Sequence, residues 1–239
     1  MQVSVIIAAA GSGQRLGGDM PKQFQLLGGK PLLAYALDVF NQLEIIDNIY
    51  VSVPTKYVNH TNKIANLYGF TKIKKIVPGG QNRAESIHAA IQQLNNTDIV
   101  LIHDGARPFV SDKLIESVVQ ATKKYGAAVA GIPITDTIKK VDDDNKILTT
   151  LDRKILWQIQ TPQGFTYEII QKAYAKGQKD NILECVTDDS MLVERMGHKV
   201  QMVMGHSNNI KITTKEDLLL GEIILHQKNA TTTKRGDEV

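Results

Sequence analysis

Two cations stand in and just after a loop of small residues near the start of the chain. Ala8-Ala-Ala-Gly-Ser-Gly-Gln-Arg-Leu-Gly places Arg15 among glycines, and Pro21-Lys22-Gln23-Phe24 adds Lys22. Small residues let a backbone approach a phosphate closely, and successive N–H groups then face the anion. A loop that only holds a cofactor needs backbone donors alone. Fixed side-chain cations add stabilisation of charge that builds on phosphorus during group transfer. A second cluster, His103-Asp104-Gly105-Ala106-Arg107-Pro108, follows the apolar run Ile99-Val-Leu-Ile102. There Asp104 has the chemistry to bind Mg²⁺, which takes one or two carboxylates beside nucleotide phosphates. Arg107 can pair with a phosphate through both arms of its fork. The bland reading makes Asp104 a helix cap and Arg107 a structural ion pair. The second cationic loop expected at the same edge favours function.

Other motifs fail. The dinucleotide pattern G-x-G-x-x-G has Gly11 and Gly13, but Leu16 takes the third place, and no acid ends the next strand to hold a ribose. A Walker A loop around Gly29-Lys30 fails at Phe24 and Pro31, and Ala10 rules out a nucleophile elbow around Ser12. The histidines lack metal-ligand spacing, so a zinc site is not expected, and His103 reads as an oriented structural residue. Pro78-Gly79-Gly80-Gln81-Asn82-Arg83 is a glycine turn entering a helix, whose open N–H and carbonyl groups could read a base edge. Taken singly, Arg153, Thr161, Thr187 and Lys211 are ordinary surface polar residues.

These groups need elements to position them. Val3–Ile7, Asn48–Val53, Ile73–Val77, Ile99–Ile102 and Ala127–Ile134 read as strands, alternating with helical segments over 31–40, 56–68, 83–94 and 111–122. Pro31 starts one of these helices, and Ser111 is the N-cap of another. The alternation predicts an α/β fold: a three-layer, Rossmann-like, mostly parallel twisted sheet with its site at the carboxyl ends of the strands. The segment 137–151 breaks the rhythm as a hairpin with the polar tip Asp142-Asp-Asp-Asn-Lys146. An arm gripping a second subunit and a surface hairpin folded onto its own domain both fit. Helices over 166–177 and 188–196, strands over 199–203 and 209–213, and a last helix from Thr214 complete a single domain ending near residue 227. Residues 228–239 lack apolar periodicity and read as a disordered tail.

Composition narrows the class. The 239 residues carry a net charge of +3, with no basic block interleaved with aromatics, so a nucleic-acid partner is not expected. No apolar run approaches the roughly 20 residues of a membrane helix, and no signal peptide is apparent. The single cysteine, Cys185, fits a reducing cytoplasm.

Taken in order, Ala9-Ala-Gly-x-Gly-x-Arg-x-Gly, Pro21-Lys22-Gln23, Gly79-Gly80-x-x-Arg83, His103-Asp104-x-x-Arg107-Pro108, Asp136-Thr137-Ile138-Lys139, Gln160-Thr-Pro-Gln163, Thr187-Asp188 and Asn209-Ile-Lys-Ile-Thr213 resemble the 2-C-methyl-D-erythritol 4-phosphate cytidylyltransferases over residues 1–226. The resemblance implies a nucleotidyltransferase-type fold with a β-arm at about 136–158. It also implies transfer of a cytidylyl group from CTP to a polyol phosphate, with pyrophosphate released. On this footing Arg15, Lys22 and Lys211 are catalytic. Ala9, Ala10, Gly11, Ser12, Gly13, Gly79, Gly80, Gln81, Ser86, Asp104 and Gly105 bind nucleotide. Arg107, Arg153, Thr161, Thr187 and Lys211 bind the acceptor, with Arg153 and Thr161 reaching it from the partner subunit's arm in a homodimer. Asp104 meets Mg²⁺ delivered with CTP. Gln81 stands where relatives can carry an acid, so base reading there must rest on backbone groups. Ribitol 5-phosphate is the alternative acceptor. A nicotinamide-dependent reductase and a non-catalytic nucleotide sensor are the rival classes, disfavoured by the missing third glycine and by the retained cationic pair.

Overall fold

Short apolar runs separated by amphipathic helices cannot bury both faces of a strand except between helical layers, and the computed structural model has that form. It describes residues 1–11 and 20–236, the last eight of these as backbone only. In chain order the described elements are β1 (Val3–Ala8), β2 (Leu26–Leu27), β3 (Lys30–Pro31), α1 (Leu32–Gln42), β4 (Asn48–Val53), α2 (Val58–Leu67), β5 (Ile73–Pro78), α3 (Arg83–Ile91) and β6 (Ile99–Asp104). Then come α4 (Asp112–Tyr125), β7 (Ala127–Pro133), β8 (Lys139–Val141), β9 (Ile147–Thr150), β10 (Trp157–Thr166), α5 (Tyr167–Lys179), α6 (Asp189–Glu194), β11 (Gln201–Met204) and α7 (Lys215–Gly236).

Seven strands form the central sheet in the order β11-β7-β10-β6-β1-β4-β5. All neighbours pair in parallel except β10, which runs antiparallel to both β6 and β7. Strand alternation sends Val5 and Ile7 of β1 to one face and Ile6 to the other. The first face packs on α1, α2 and α4 through Leu33, Phe40, Ile64 and Val118. The second packs on α3, α5 and α6 through Ile87, Ile170, Tyr174 and Leu192. Leu27, Leu32, Phe109, Ile212 and Ile224 form a smaller cluster that seats the last helix.

The predicted helix starts hold. Pro31 precedes α1, and the Ser111 hydroxyl accepts the Leu114 N–H at 3.3 Å. The predicted hairpin is β8 and β9, paired antiparallel, with the Asp142 carboxylate accepting N–H groups of Asp144 and Lys146 across its tip. Three elements differ from expectation. Residues 209–213 form no strand; they lie beside the loop after β6, with Ile212 N–H on the Ala106 carbonyl at 2.8 Å. The chain from Trp157 to Thr166, which carried no strand signal, is β10 in the middle of the sheet. The last helix continues to Gly236, past residue 227 where the sequence pattern ends.

Candidate functional site

Because β1, β4, β5 and β6 are parallel, the loops that follow them gather at one edge of the sheet, where ligands of open α/β folds bind. A cleft of about 190 Å³ lies there, lined by Ala8, Ala9, Ala10 and Gly11 after β1, Lys22 and Gln23, Arg83 and Ser86 of α3, Asp104 and Ala106 after β6, and Lys211. The structure therefore brings together Ala9, Ala10, Gly11, Lys22, Ser86, Asp104 and Lys211 from the sequence reading. Arg15, Ser12 and Gly13 lie outside the described residues.

Each wall is fixed by local chemistry. Lys22 opens a 3-10 turn over Lys22–Phe24, whose next residue, the buried Gln23, donates Nε2 to the Ala9 carbonyl at 2.5 Å. Phe24 then packs its ring against Tyr57 and His60, both centroids at 5.0 Å. The turn after β5 is held by hydrogen bonds of its own. Gly80 N–H donates to the Ser86 hydroxyl at 3.0 Å, and Gln81 N–H donates to Glu85 at 2.9 Å. These two N–H groups are thus spent inside the turn, not open as the sequence reading expected. Gly79 is required by space: a Cβ there would meet Ala10 Cβ at 2.4 Å and Ser86 Oγ at 2.9 Å. Gly105 is less tightly confined, with Ala9 Cβ 3.0 Å from where its own Cβ would stand.

Asp104 is the electrostatic centre. Its side chain is only 9% exposed, and three cations reach it. Arg83 Nε lies 3.2 Å from Oδ1, Lys211 Nζ 2.7 Å from Oδ2, and Arg107 Nε 3.8 Å from Oδ2. Burial works against its charge, but Arg83, Lys211 and Arg107 outweigh that and hold the carboxyl well below the usual carboxylate range. Arg83 is partly buried, and Asp189 and Asp104 hold its guanidinium above the ordinary arginine range.

Behind Asp104 a hydrogen-bond chain settles one tautomer. Asp104 N–H donates to the Thr161 hydroxyl at 3.1 Å, and that hydroxyl lies 3.0 Å from His103 Nδ1. His103 Nε2 lies 3.1 Å from the Arg107 carbonyl, which can only accept. The proton is therefore on Nε2, and Thr161 donates to Nδ1. Burial lowers the His103 pKa to about 4. A neutral buried imidazole suits positioning rather than proton transfer. An imidazole whose folded pKa lies below its unfolded value of 6.5 binds protons more readily when the chain unfolds. Stability is then complete above about pH 6.5 and falls as pH drops toward 4, by about 2–3 kcal/mol from this group. Urea unfolding of wild type and His103→Gln between pH 7 and pH 4.5 checks this: the wild-type midpoint should fall more steeply than that of the variant.

The acceptor residues of the sequence reading are dispersed. Arg107 is largely buried, and its NH1 donates to the Asn209 carbonyl at 2.7 Å. Thr161 is buried in the chain just described. Arg153 stands at the foot of the hairpin, donating to the Thr135 carbonyl at 2.6 Å. Thr187 lies in a separate groove with Asp188, Met191 and His198. Arg83 and Gln163 stand in the quoted motifs without a role of their own, and neither Asp189, which meets Arg83, nor Tyr174, which donates to Asp189, was given one. Only their burial in three dimensions reveals them, since Arg83 and Asp189 are 106 residues apart.

The family model for 2-C-methyl-D-erythritol 4-phosphate cytidylyltransferase (IspD) matches residues 3–227. The protein of that name from Halalkalibacterium halodurans is 43% identical over 228 residues, covering 95% of this chain and 99% of its own. That of Syntrophus aciditrophicus is 43% identical over 229 residues, covering 95% and 97%. Among solved structures, the 4-diphosphocytidyl-2C-methyl-D-erythritol synthase of Anaerococcus prevotii matches with a TM-score of 0.83 at 33% identity, over 94% of this chain and 96% of that one. The Thermus thermophilus cytidylyltransferase matches at 0.76 and 30% identity, over 95% and 100%.

Proposed function

Because the chain belongs to the 2-C-methyl-D-erythritol 4-phosphate cytidylyltransferase family, we propose that its cleft holds CTP with the triphosphate between Lys22 and Lys211. The reaction is transfer of a cytidylyl group from CTP to 2-C-methyl-D-erythritol 4-phosphate, giving 4-diphosphocytidyl-2-C-methyl-D-erythritol and pyrophosphate, a step of isoprenoid precursor synthesis. The names of the relatives favour this acceptor over ribitol 5-phosphate and give no support to a reductase or a sensor.

The chemistry needs little beyond placement and charge. An oxygen of the acceptor phosphate attacks the α-phosphorus, a new P–O bond forms, and the bond to the bridging oxygen of pyrophosphate breaks. The attacking phosphate is already ionised, so no base is required. His103 is accordingly buried and neutral. Two anions approach each other only if cations offset their repulsion. Lys22 and Lys211 face the cleft from opposite loops and supply that charge. Arg15 shares this role by the sequence reading.

Mg²⁺ accepts one or two carboxylates, with phosphates and water filling the remaining positions. Asp104, the carboxylate lining the cleft, fits that partial role, and among the described residues no three His, Cys, Asp or Glu side chains form a metal cage. When bound with CTP, magnesium offsets triphosphate charge. Gly79, Gly80, Gln81 and Ser86 border the base and ribose, where base reading falls to other groups than the Gly80 and Gln81 N–H, already taken by Ser86 and Glu85. Arg107 and Thr187 serve the acceptor side, and Arg153 at the foot of the hairpin serves that of the neighbouring subunit; Thr161 does not, because it is buried with its hydroxyl held between the Asp104 N–H and His103 Nδ1 of its own chain.

The hairpin supports a homodimer. Ile147 and Leu148 of the hairpin and Ile155 at its foot are 64%, 57% and 77% exposed, apolar surface that a second copy would cover. Sedimentation at twice 26.4 kDa would agree with this, and a monomer at micromolar concentration would end it. No helix of the described residues is long and apolar enough to cross a membrane, and the lone cysteine agrees with a cytoplasmic setting.

The observation that carries this reading is the convergence of Lys22, Arg83, Asp104 and Lys211 on one cleft at the carboxyl edge of the sheet. Pyrophosphate release decides it. Turnover should require CTP, a divalent cation and 2-C-methyl-D-erythritol 4-phosphate together, and ribitol 5-phosphate should be slower by about tenfold or more, the discrimination that one or two polar contacts to the acceptor supply. Equal rates with both acceptors would refute the acceptor assignment.

A further inference from the structure

Arg83 belongs to two carboxylates. Its Nε meets Asp104 Oδ1 at 3.2 Å and its NH2 meets Asp189 Oδ2 at 2.7 Å. Asp189 opens α6, is fully buried, and does not line the cleft. Its second oxygen accepts the Tyr174 hydroxyl at 2.5 Å, and its backbone N–H is fixed by Gln163 Oε1 at 3.0 Å. Tyr174 is itself fully buried in the core under α5. On the cleft side one carboxylate faces three cations, Arg83, Lys211 and Arg107. With Asp189 absent, nothing among the described contacts would keep Arg83 from turning wholly onto Asp104. Asp104 would then be closed to any incoming cation, and the cleft would carry one more positive charge.

We propose that Asp189, clamped by Tyr174 and Gln163, is a positioning and charge-balancing residue that draws Arg83 away from Asp104 and so keeps Asp104 open to what arrives with the triphosphate. This rests on the reading of the cleft as a CTP site with Asp104 as cation ligand. Asp189 touches no substrate; it acts through Arg83.

A misfolded cleft would bind everything worse. Loss of charge balance moves two affinities in opposite directions. In Asp189→Asn, CTP titrated in EDTA should bind about three- to tenfold more tightly, because the cleft has gained a positive charge. The Mg²⁺ concentration for half-maximal turnover should rise by about tenfold, because Arg83 now competes for Asp104. Tyr174→Phe leaves every charge in place and should change metal-free CTP affinity less than about twofold, the range of an ordinary neutral substitution. Weaker or unchanged metal-free binding in Asp189→Asn at a normal melting temperature would overturn the proposal. So would a Tyr174→Phe effect as large as that of Asp189→Asn.

Should Asp189→Asn not fold, Arg83→Gln and Asp189→Asn combined remove both partners of the buried pair, which is better tolerated than removing one. The Mg²⁺ concentration for half-maximal turnover should then lie at or below that of wild type, since no Arg83 remains to compete for Asp104; a rise in a folded double variant would overturn the proposal. Failure of the parent reading looks different: Asp104→Asn would leave the Mg²⁺ requirement unchanged, while the metal-free measurement on Asp189→Asn would still report the charge balance.

Discussion

Lys22→Ala is expected to lower kcat by about a hundredfold or more while leaving the melting temperature unchanged. A preorganised donor to developing charge typically contributes about 2.7–4 kcal/mol to the transition state. The substitution should spare the fold because the turn's anchors are its neighbours. Gln23 is tied to the Ala9 carbonyl, and Phe24 sits between Tyr57 and His60. The measurement is turnover at saturating CTP and acceptor, so that lost binding does not masquerade as lost catalysis. Near-wild-type kcat would remove Lys22 from the mechanism. Arg15→Ala carries the same expectation from the sequence alone.

Asp104→Asn should cost both activity and stability. Asn keeps the shape and the backbone hydrogen bond to Thr161, yet leaves Arg83, Lys211 and Arg107 crowded without their shared carboxylate. Removing one partner of a buried ion pair typically costs about 3–5 kcal/mol. Arg83 retains Asp189, so about 3 kcal/mol is expected here by the same rule. The sign with pH follows from a carboxyl held below its unfolded value. Its stabilising contribution is present at neutral pH and is lost as pH falls below the ordinary carboxylate range. Urea unfolding of the two proteins at pH 7 and pH 3 should therefore show a gap that narrows in acid. A gap that widened in acid would contradict the ion-pair account. Activity at pH 7 should fall by about a hundredfold or more, since the cleft loses the one carboxylate that lines it among the described residues.

What could be read from the residues follows the distance over which each signal acts. The run Val3–Ile7, the helix entered at Pro31 and the Ser111 cap are local patterns, and each stands where the pattern put it. The strand β10 escaped because Gln158, Gln160 and Gln163 make it polar and Pro162 removes a ladder donor, features that argue against a central strand. Its buried polar side chains have partners: Gln160 donates to the His206 carbonyl, and Gln163 holds Asp188 and the start of α6. The reverse error occurred at 209–213, where apolar alternation looked like a strand. There Asn209 binds the Thr161 carbonyl and Ile212 fills a small core with Phe109, so the segment is fixed without a sheet partner.

The cleft was legible where a loop follows a strand, as with Ala9, Lys22 and Asp104. It was not legible where function depends on a counter-charge far along the chain. Nothing in the vicinity of Arg83 in sequence announces Asp189, and nothing near Asp189 announces Tyr174. The glycine turn after β5 shows a third limit: its N–H groups were visible as a possibility, but their capture by Ser86 and Glu85 depends on the geometry of the helix entry.

The place of β10 has a consequence for synthesis on the ribosome. It lies between β6 and β7 although it is made after both. As the nascent chain emerges, β1, β4, β5 and β6 can assemble as a contiguous half. The newly made β7 has no neighbour to join until β10 emerges and inserts beside it. The Thr161 hydroxyl beneath Asp104 arrives with that same strand. A pause in translation before Thr166 would therefore leave a two-part intermediate whose acidic centre is already present but unbraced.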